Sequence, residues 1–349
     1  MPYAGVIQDA QGNLYGTTYS GGANNGGIIY KIASSGAETI LYSFGATSGL
    51  TRAGVVMDSA GNLYGTIPSG PTNDGVVYKL SPEGTQTILH AFTGPPDGST
   101  PFAGVILDSA GNVYGTTFGG GASFDGTVYE VDTAGNETVL YSFQGGADGT
   151  EPQAGLVRDS SGNLYGTMTN GGTANEGQVY EVAATGQKSV LYSFPAMADG
   201  AIPLSGLIGD AEGNFYGTTW SGGTWNAGIV YKLTRSGDET VLYTFTGGAD
   251  GGKPLGNLAR DSAGNLYGTT FSGGGGEGVV YRLDPAGQET VLHAFGGSGT
   301  GLDGGPEGGV ILDSAGNLYG TTSGGGEGFG TVFQLDPAGN QTVLFSFNG

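Results

Sequence analysis

Cysteine is absent from the 349 residues, which removes disulfides, thiolate metal sites and cysteine nucleophiles together. Histidine occurs only at His90 and His293, too few for a histidine-rich metal centre. Basic residues are scarce: 10 Lys and Arg stand against 31 Asp and Glu, a formal net charge of −21. The clustered cations that phosphate recognition needs are therefore missing, and no nucleic-acid partner is expected. No apolar run reaches the roughly 18 residues that argue a membrane span. The start Met1-Pro2-Tyr3 is not a basic segment followed by an apolar one. A soluble chain is expected, with any export signal removed or outside this sequence. Only 12% of residues are charged, which leaves a surface of Ser, Thr, Asn, Gly and Tyr, closer to an extracellular binding or matrix protein than to a cytosolic enzyme.

Glycine is what the chain has in abundance, 75 residues, with 14 prolines. Without a period such a bias reads as low complexity; here there is a period. Tyr-Gly-Thr begins at Tyr15, Tyr64, Tyr114, Tyr165, Tyr216, Tyr267 and Tyr319, at spacings of 49, 50, 51, 51, 51 and 52. One unit reads A-G-V-I-x-D, x-x-G-N, L-Y-G-T-T-x, a glycine-rich loop, G-x-V-Y-x-L, x-x-x-G-x, E-T-V-L-Y-S-F and a link often reading D-G-x-x-P. Four short apolar runs separated by turn residues predict a four-stranded antiparallel meander, strands A to D. The expected fold is all-β, a seven-bladed β-propeller in one domain, 1–349, with blades near 1–48, 49–98, 99–149, 150–200, 201–251, 252–303 and 304–349.

In the A–B turn, Asp9, Asp58, Asp108, Asp159, Asp210, Asp261 and Asp313 are each followed three residues later by Gly and then Asn. Asp accepts backbone N–H bonds across a tight turn and Gly supplies the left-handed position. A structural turn is preferred over a calcium loop, because the alternating oxygen ligands of a calcium site are missing. Strand D ends in Phe44, Phe92, Phe143, Phe194, Phe245, Phe295 and Phe347. With the seven tyrosines these rings predict a radial core between neighbouring blades, since one sheet has no second layer of its own. Val343-Leu344-Phe345-Ser346-Phe347 is as apolar as an internal strand D, so a closed ring is expected. If the D-to-A link joins blades, no strand is exchanged between first and last; if the B-to-C link does, Met1 to Ser20 completes the last blade.

At D-x-x-G-N-L-Y-G-T-T, followed by the glycine-rich loop, G-x-V-Y and T-V-L-Y-S-F, the chain closely resembles the Gloeo/Verruco (GloVer) repeat family of bacterial proteins. The likeness covers all seven units; blade 2 departs at Ile67-Pro68 and carries Ser48-Gly49-Leu50-Thr51-Arg52 in place of D-G-x-x-P. The resemblance implies export, because members can carry a C-terminal sorting signal, and brings no catalytic residues. A weaker likeness to NHL-type propeller repeats, through G-V-x-x-D-x-x-G-N-x-Y, implies that strand A is innermost.

Little in the sequence points to catalysis. His90 and His293 occupy the strand-D place held by Tyr42, Tyr141, Tyr192, Tyr243 and Phe345, so they are read as substitutes for a packing aromatic. Glu151 and Glu307 are the candidate carboxylate pair of a glycan-active enzyme, and solvated loop glutamates are the preferred reading. No helix follows the glycine-rich loops to cradle a phosphate. The sequons at Asn136 and Asn340 arise from the repeat itself. Neither metal nor cofactor is expected, and the protein is read as non-enzymatic.

In a chain of near-copies, positions that differ inside a fixed frame are fitted to something or free. One such set lies three residues ahead of strand A's branched apolar position: Tyr3, Arg52, Phe102, Gln153, Leu204, Leu255 and Glu307. With strand A innermost, these seven ring one mouth of the channel. The B–C loops share that face and carry Phe124 and Trp225; Trp225 has no strand periodicity to bury it. Tyr19, Phe118, Trp220 and Phe271, at the end of strand B, are expected to pack at the rim. The candidate ligand-binding set is therefore Trp225, Phe124, Tyr3, Arg52, Phe102, Gln153 and Glu307. The expected function is an extracellular module that binds a glycan or protein ligand; the alternatives are a structural protein that associates with itself into layers or fibres and, third, a carboxylate-dependent enzyme.

Overall fold

Each copy of the repeat folds into the sheet its turn residues dictate. The computed structural model describes residues 1–46, 51–70, 72–296 and 304–348. Blade 1 consists of Ile7–Gln8, Leu14–Thr17, Ile28–Ile32 and Glu38–Ser43; blade 2 of Val56–Met57, Leu63–Ile67, Val76–Leu80 and Gln86–Ala91. Blade 3 is Ile106–Leu107, Val113–Thr117, Thr127–Val131 and Glu137–Ser142; blade 4 is Val157–Arg158, Leu164–Met168, Gln178–Val182 and Lys188–Ser193. Blade 5 is Ile208–Gly209, Phe215–Thr219, Ile229–Leu233 and Glu239–Thr244. Blade 6 is Ala259–Arg260, Leu266–Ser272, Val279–Leu283 and Glu289–Ala294, and blade 7 is Ile311–Leu312, Leu318–Thr322, Thr331–Leu335 and Gln341–Ser346. All are antiparallel meanders; among the described residues the only helical turns are Gly146–Asp148 and Met197–Asp199. The segment Ser48-Gly49-Leu50 and the blade boundaries expected near 48 and 303 lie outside the described residues.

The Tyr-Gly-Thr motif does three separate jobs. Every one of its seven tyrosines donates its hydroxyl to the Asp of its own A–B turn, from 2.9 Å at Tyr15–Asp9 to 3.1 Å at Tyr114–Asp108. The glycine is required because the strand-C aromatic lies over it: a Cβ on Gly16 would overlap the Tyr30 hydroxyl, and one on Gly115 that of Tyr129. The first threonine ties the blade to the next one, Thr17 Oγ1 donating to Ala53 O at 2.8 Å and Thr66 Oγ1 to Ala103 O at 2.8 Å.

At every junction the phenylalanine that ends strand D packs edge-on against the strand-C aromatic of the following blade. The pairs run from Phe44–Tyr78 and Phe92–Tyr129 to Phe295–Phe333 and Phe347–Tyr30, with centroids 5.1 to 5.8 Å apart. Both rings are buried. Burial contributes about 1.5–3 kcal/mol per ring, and the edge-to-face geometry about 0.5–1.5 kcal/mol more per pair. The Tyr-Gly-Thr ring was expected in this core, and Tyr64 and Tyr114 do belong to it. The strand-C tyrosine, which the repeat pattern does not single out, is the deeper of the two.

The C–D turn of each blade rests on strand D of the blade before. Its glycine has positive φ, and a Cβ there would lie no more than 3.4 Å from a leucine carbonyl of that strand: Gly135 on Leu89, Gly186 on Leu140, and Gly36 on Leu344. The last pair joins blade 1 to blade 7. Thr321 Oγ1 also donates to Ala4 O at 2.8 Å, and Gly330 lies under Pro2 while its carbonyl accepts the Phe347 N–H at 3.0 Å. The ring is closed by whole blades without strand exchange, and its two ends meet at one junction.

The A–B turn is saturated by donors. In blade 3, Asp108 Oδ1 accepts the N–H of Ala110 and Asn112 at 2.9 Å, and Oδ2 accepts Asn112 Nδ2 at 3.0 Å and the Tyr114 hydroxyl at 3.1 Å. Burial raises the Asp108 carboxyl, but these bonds outweigh it and hold it below the usual range. In Asp210 the same balance, with the Arg260 charge added, brings it down to about 2. A cation here would face N–H and O–H groups, not oxygen lone pairs. Asp108→Ala should cost about 0.5–2 kcal/mol in denaturant unfolding, and the melting temperature should be the same in calcium and in chelator.

A second group of carboxyls sits between blades. Glu137, Glu239 and Glu289, the first residues of three D strands, are pushed up to about 7 by burial and then by Asp97, Asp199 and Asp250 in the preceding links. Folded carboxyls with raised values bind a proton that the unfolded chain has already released, so stability falls as pH rises from about 4.5 through about 7. The turn aspartates act in the opposite sense, their contribution being lost as pH falls below about 4. The melting temperature should therefore be higher near pH 5 than near pH 8. Replacing the three glutamates by Gln, which the chain itself uses at Gln86 and Gln341, should flatten that fall; an unchanged slope in the triple variant would contradict this assignment.

Candidate functional site

The link between blades is built to throw one side chain into the channel mouth. Thr100, Glu151, Ile202 and Lys253, each followed by proline, have φ of 56 to 58°, a left-handed conformation uncommon for residues with a side chain. Each is held there by an N–H bond to the preceding blade's B–C loop: Thr100 to Asp74 O at 2.6 Å, Glu151 to Asp125 O at 2.9 Å, Ile202 to Glu176 O at 2.9 Å and Lys253 to Ala227 O at 2.7 Å. The proline ring then covers the glycine just before strand C of that blade, Pro152 on Gly126 and Pro203 on Gly177. The residue next after the proline is Phe102, Gln153, Leu204 or Leu255 in these four links. Tyr3 and Glu307 come after Pro2 and Pro306 in the same way, and Arg52 after Thr51.

All seven mouth positions expected from the sequence line one cavity of about 710 Å³, joined by Tyr19, Asn73 and Thr100 among others. Its wall is one-sided. The Arg52 guanidinium lies over the Tyr3 and Tyr19 rings at 5.4 and 5.6 Å, and these rings meet edge-on at 5.3 Å. Phe102 packs on Phe118 in the same way at 5.3 Å. Glu307, on the other flank of blade 1, is raised by burial, against the lowering effects of a Ser323 hydrogen bond and of Arg52. Leu204 and Leu255 stand opposite. Below the mouth the channel narrows onto strand-A backbone, where a Cβ on Gly5 would sit 2.7 Å from Gly309 O. Blade 6 has Asn257 at this level, its Oδ1 accepting the Gly206 N–H at 2.8 Å.

Trp225 and Phe124 do not line this cavity. They are exposed at 65% and 70%, on the B–C loops of blades 5 and 3. Phe124 has φ 68° at the loop position where Asn25, Asn73, Asn175 and Asn226 stand. Three of those asparagines accept a loop N–H through Oδ1, as Asn226 does from Gly222 at 2.9 Å. Phe124 gives up that bond and sits in a conformation disfavoured for a bulky residue. Of the strand-B aromatics, Tyr19 and Phe118 pack at the rim as expected, while Phe271 is 44% exposed beside Trp220.

The carboxylate pair is not assembled: Glu307 lines the mouth and Glu151 does not. His90 and His293 stack edge-on against Phe92 and Phe295 at 4.9 and 4.7 Å, the packing expected of them. Not foreseen from the repeat, His90 Nε2 also meets Asp97 Oδ2 at 3.2 Å. The sequon asparagines are occupied within their turns, Asn136 Nδ2 donating to Asp132 and Asn340 Nδ2 to Asp336, both at 2.8 Å.

The Gloeobacter/Verrucomicrobia repeat pattern matches residues 1–110, 68–276 and 158–349, which together span the chain. The chain belongs to this repeat family. No curated protein matches the sequence of this GloVer-repeat protein. Its fold is similar to the extracellular domain of a protein assigned as a hybrid two component system from B. thetaiotaomicron, at TM-score 0.62 and 11% identity, over 95% of this chain and 38% of that one. Puromycin hydrolase, as an S511A mutant complexed with PGG, matches at TM-score 0.62 and 12% identity over 99% of this chain and 53% of the hydrolase. A protein assigned as a 6-phosphogluconolactonase from Bacteroides uniformis matches at 0.63 and 14%, over 97% and 95% of the two chains. The GloVer chain thus spans about two-fifths and half of the first two, and these identities establish the fold alone. Among the described residues no helix is long and apolar enough to cross a membrane.

If the Phe124 conformation is kept for a contact and not for folding, Phe124→Asn should raise stability by about 1 kcal/mol, by easing the left-handed backbone and restoring the loop bond. Urea unfolding of the two proteins measures this directly, and a less stable variant would contradict it.

Proposed function

We propose that this GloVer propeller is a non-enzymatic extracellular binding module whose ligand, a glycan or a protein segment, engages the mouth formed by the D–A links, with Phe124 and Trp225 as outlying contacts on the same face. One observation carries the reading: the seven positions at which otherwise repeated links differ converge on a single cavity. A seven-fold frame presents there a cation, a carboxylate, an amide and aromatic rings on one side and leucines on the other. Such asymmetry suits a small or linear ligand held in one orientation better than a symmetric ion. Rings beside amide, guanidinium and hydroxyl groups fit a sugar, whose faces are apolar and whose rim is polar. Two exposed aromatics on loops, one in a strained backbone, are features that folding alone does not call for.

The same cavity argues against carboxylate-dependent hydrolysis. Such chemistry needs two acids across the scissile bond, and Glu307 is the sole acid among the described residues that line the mouth. The extracellular placement is supported by the low-charge surface and by the fold shared with an extracellular domain.

A glycan array and a peptide-display screen identify the ligand class. With the ligand in hand, Arg52→Ala and Trp225→Ala should each weaken binding by about tenfold or more, since stacking and a charge-assisted hydrogen bond are worth roughly 1–3 kcal/mol. Asn136→Ala, in a C–D turn on the opposite face, should leave affinity unchanged. Loss of binding in Asn136→Ala with retention in the other two would place the ligand on the wrong face for this account.

A further inference from the structure

The seven junctions use the same three positions differently. At the junction of blades 3 and 4 these are Tyr141 of strand D, Asp148 of the link and Lys188 at the start of the next strand D. The Lys188 ammonium is held between blades there, 2.7 Å from Asp148 Oδ1 and 2.5 Å from Asp148 O, while the Tyr141 hydroxyl donates to the same carboxylate at 3.1 Å. The Lys188 side chain is 3% exposed. This place between blades thus holds a cation supplied by the chain itself.

At the junction of blades 2 and 3 the three positions are His90, Asp97 and Glu137. One ligand atom from each lies within 4.8 Å of the other two. In place of Lys188 stands a carboxylate, as at Glu239 and Glu289, and here alone among these three an imidazole replaces the phenol, so the chain's own cation is absent and a nitrogen donor has appeared. Glu137 Oε1, like Glu239 Oε1 and Glu289 Oε1 at their junctions, is shielded from solvent and meets no hydrogen-bond donor. We propose that His90, Asp97 and Glu137 form a site for a borderline divalent cation of the zinc class, which ties blade 2 to blade 3 as Lys188 ties blade 3 to blade 4.

The donor set and spacing favour that class. Zinc takes imidazole nitrogen and carboxylate oxygen at about 2.0–2.2 Å in a tetrahedron, whose edges are then roughly 3.3 Å. The distance from His90 Nε2 to Asp97 Oδ2 is 3.2 Å. Glu137 brings a third ligand oxygen within 4.8 Å of these two atoms, and the partial exposure of all three residues leaves a fourth position open to water. Calcium is disfavoured, because it takes six to eight oxygens and no imidazole. The ring is already oriented for the task by its edge contact with Phe92. Asp97 Oδ1 is fixed by the Gly98 N–H at 2.6 Å, while Oδ2 accepts the Thr93 N–H at 3.0 Å and the Thr93 hydroxyl at 3.2 Å, and a cation would have to displace the hydroxyl, whose proton is free to rotate away.

The test uses the full chain, stripped with chelator and titrated with zinc by calorimetry and thermal melting. The proposal expects one zinc per chain and a raised melting temperature. His90→Tyr restores the residue used at Tyr141, and Glu137→Lys restores the one used at Lys188, so both variants should fold. Each should weaken zinc binding by about a hundredfold or more, and Glu137→Lys should melt no lower than the wild type without zinc. His293→Tyr should bind as the wild type does. Absence of stoichiometric binding in the wild type overturns the proposal, and so does zinc binding that survives in both His90→Tyr and Glu137→Lys.

Discussion

Contact between the phenylalanine ending strand D and the strand-C aromatic of the next blade is the interaction on which the rest of this structure depends. A four-stranded sheet has two faces and no second layer, so each blade is stable only when neighbours cover both. The edge-on ring pair supplies that cover at all seven junctions, including the one that joins Phe347 to Tyr30. It also explains the glycine of Tyr-Gly-Thr, over which the strand-C hydroxyl lies, and the C–D glycine that lets strand D of one blade approach the turn of the next. Because every blade presents both halves of the contact, the frame of each repeat is constrained on both faces. Freedom to vary remains at the link and in the B–C loop, and that is where the copies differ.

The period, the four-stranded unit, the Asp turn and the closed ring were legible in the sequence because they rest on local chemistry repeated seven times. So was the mouth: a single offset from strand A collected Tyr3, Arg52, Phe102, Gln153, Leu204, Leu255 and Glu307, which line one cavity. The strand-C tyrosine was not singled out, since G-x-V-Y alternates like any buried strand and nothing local says which ring goes deepest. The carboxyl pairs and the His90–Asp97–Glu137 group were hidden for a different reason. They join residues up to 47 positions apart through the lean of each C–D turn on the preceding blade, a tilt that no single repeat encodes. Trp225 and Phe124 stand off the cavity, although Asn73 of the blade 2 B–C loop lines it.

Charge is distributed in keeping with this division. Most of the few basic side chains lie over the Tyr-Gly-Thr rings, among them Lys31 on Tyr15, Lys79 on Tyr64, Arg158 on Tyr114 and Arg260 on Tyr216, where each contributes about 0.5–1 kcal/mol to the frame. Lys188 is spent inside a junction. Arg52 is the one base among the described residues lining the mouth. In a chain of net charge −21, its position over two tyrosines makes that flank of the cavity chemically distinct from the rest of the acidic surface.

A repeated, ring-packed frame carries an individual mouth, and hydrogen–deuterium exchange with a ligand taken from the glycan or peptide screen tests this most directly. Strands B to D should exchange slowly and alike in all blades, free or bound. Ligand should add protection in the links that carry Arg52, Phe102 and Glu307 and in the loops of Phe124 and Trp225. Protection confined to the A–B and C–D turns, with the links unchanged, would contradict it.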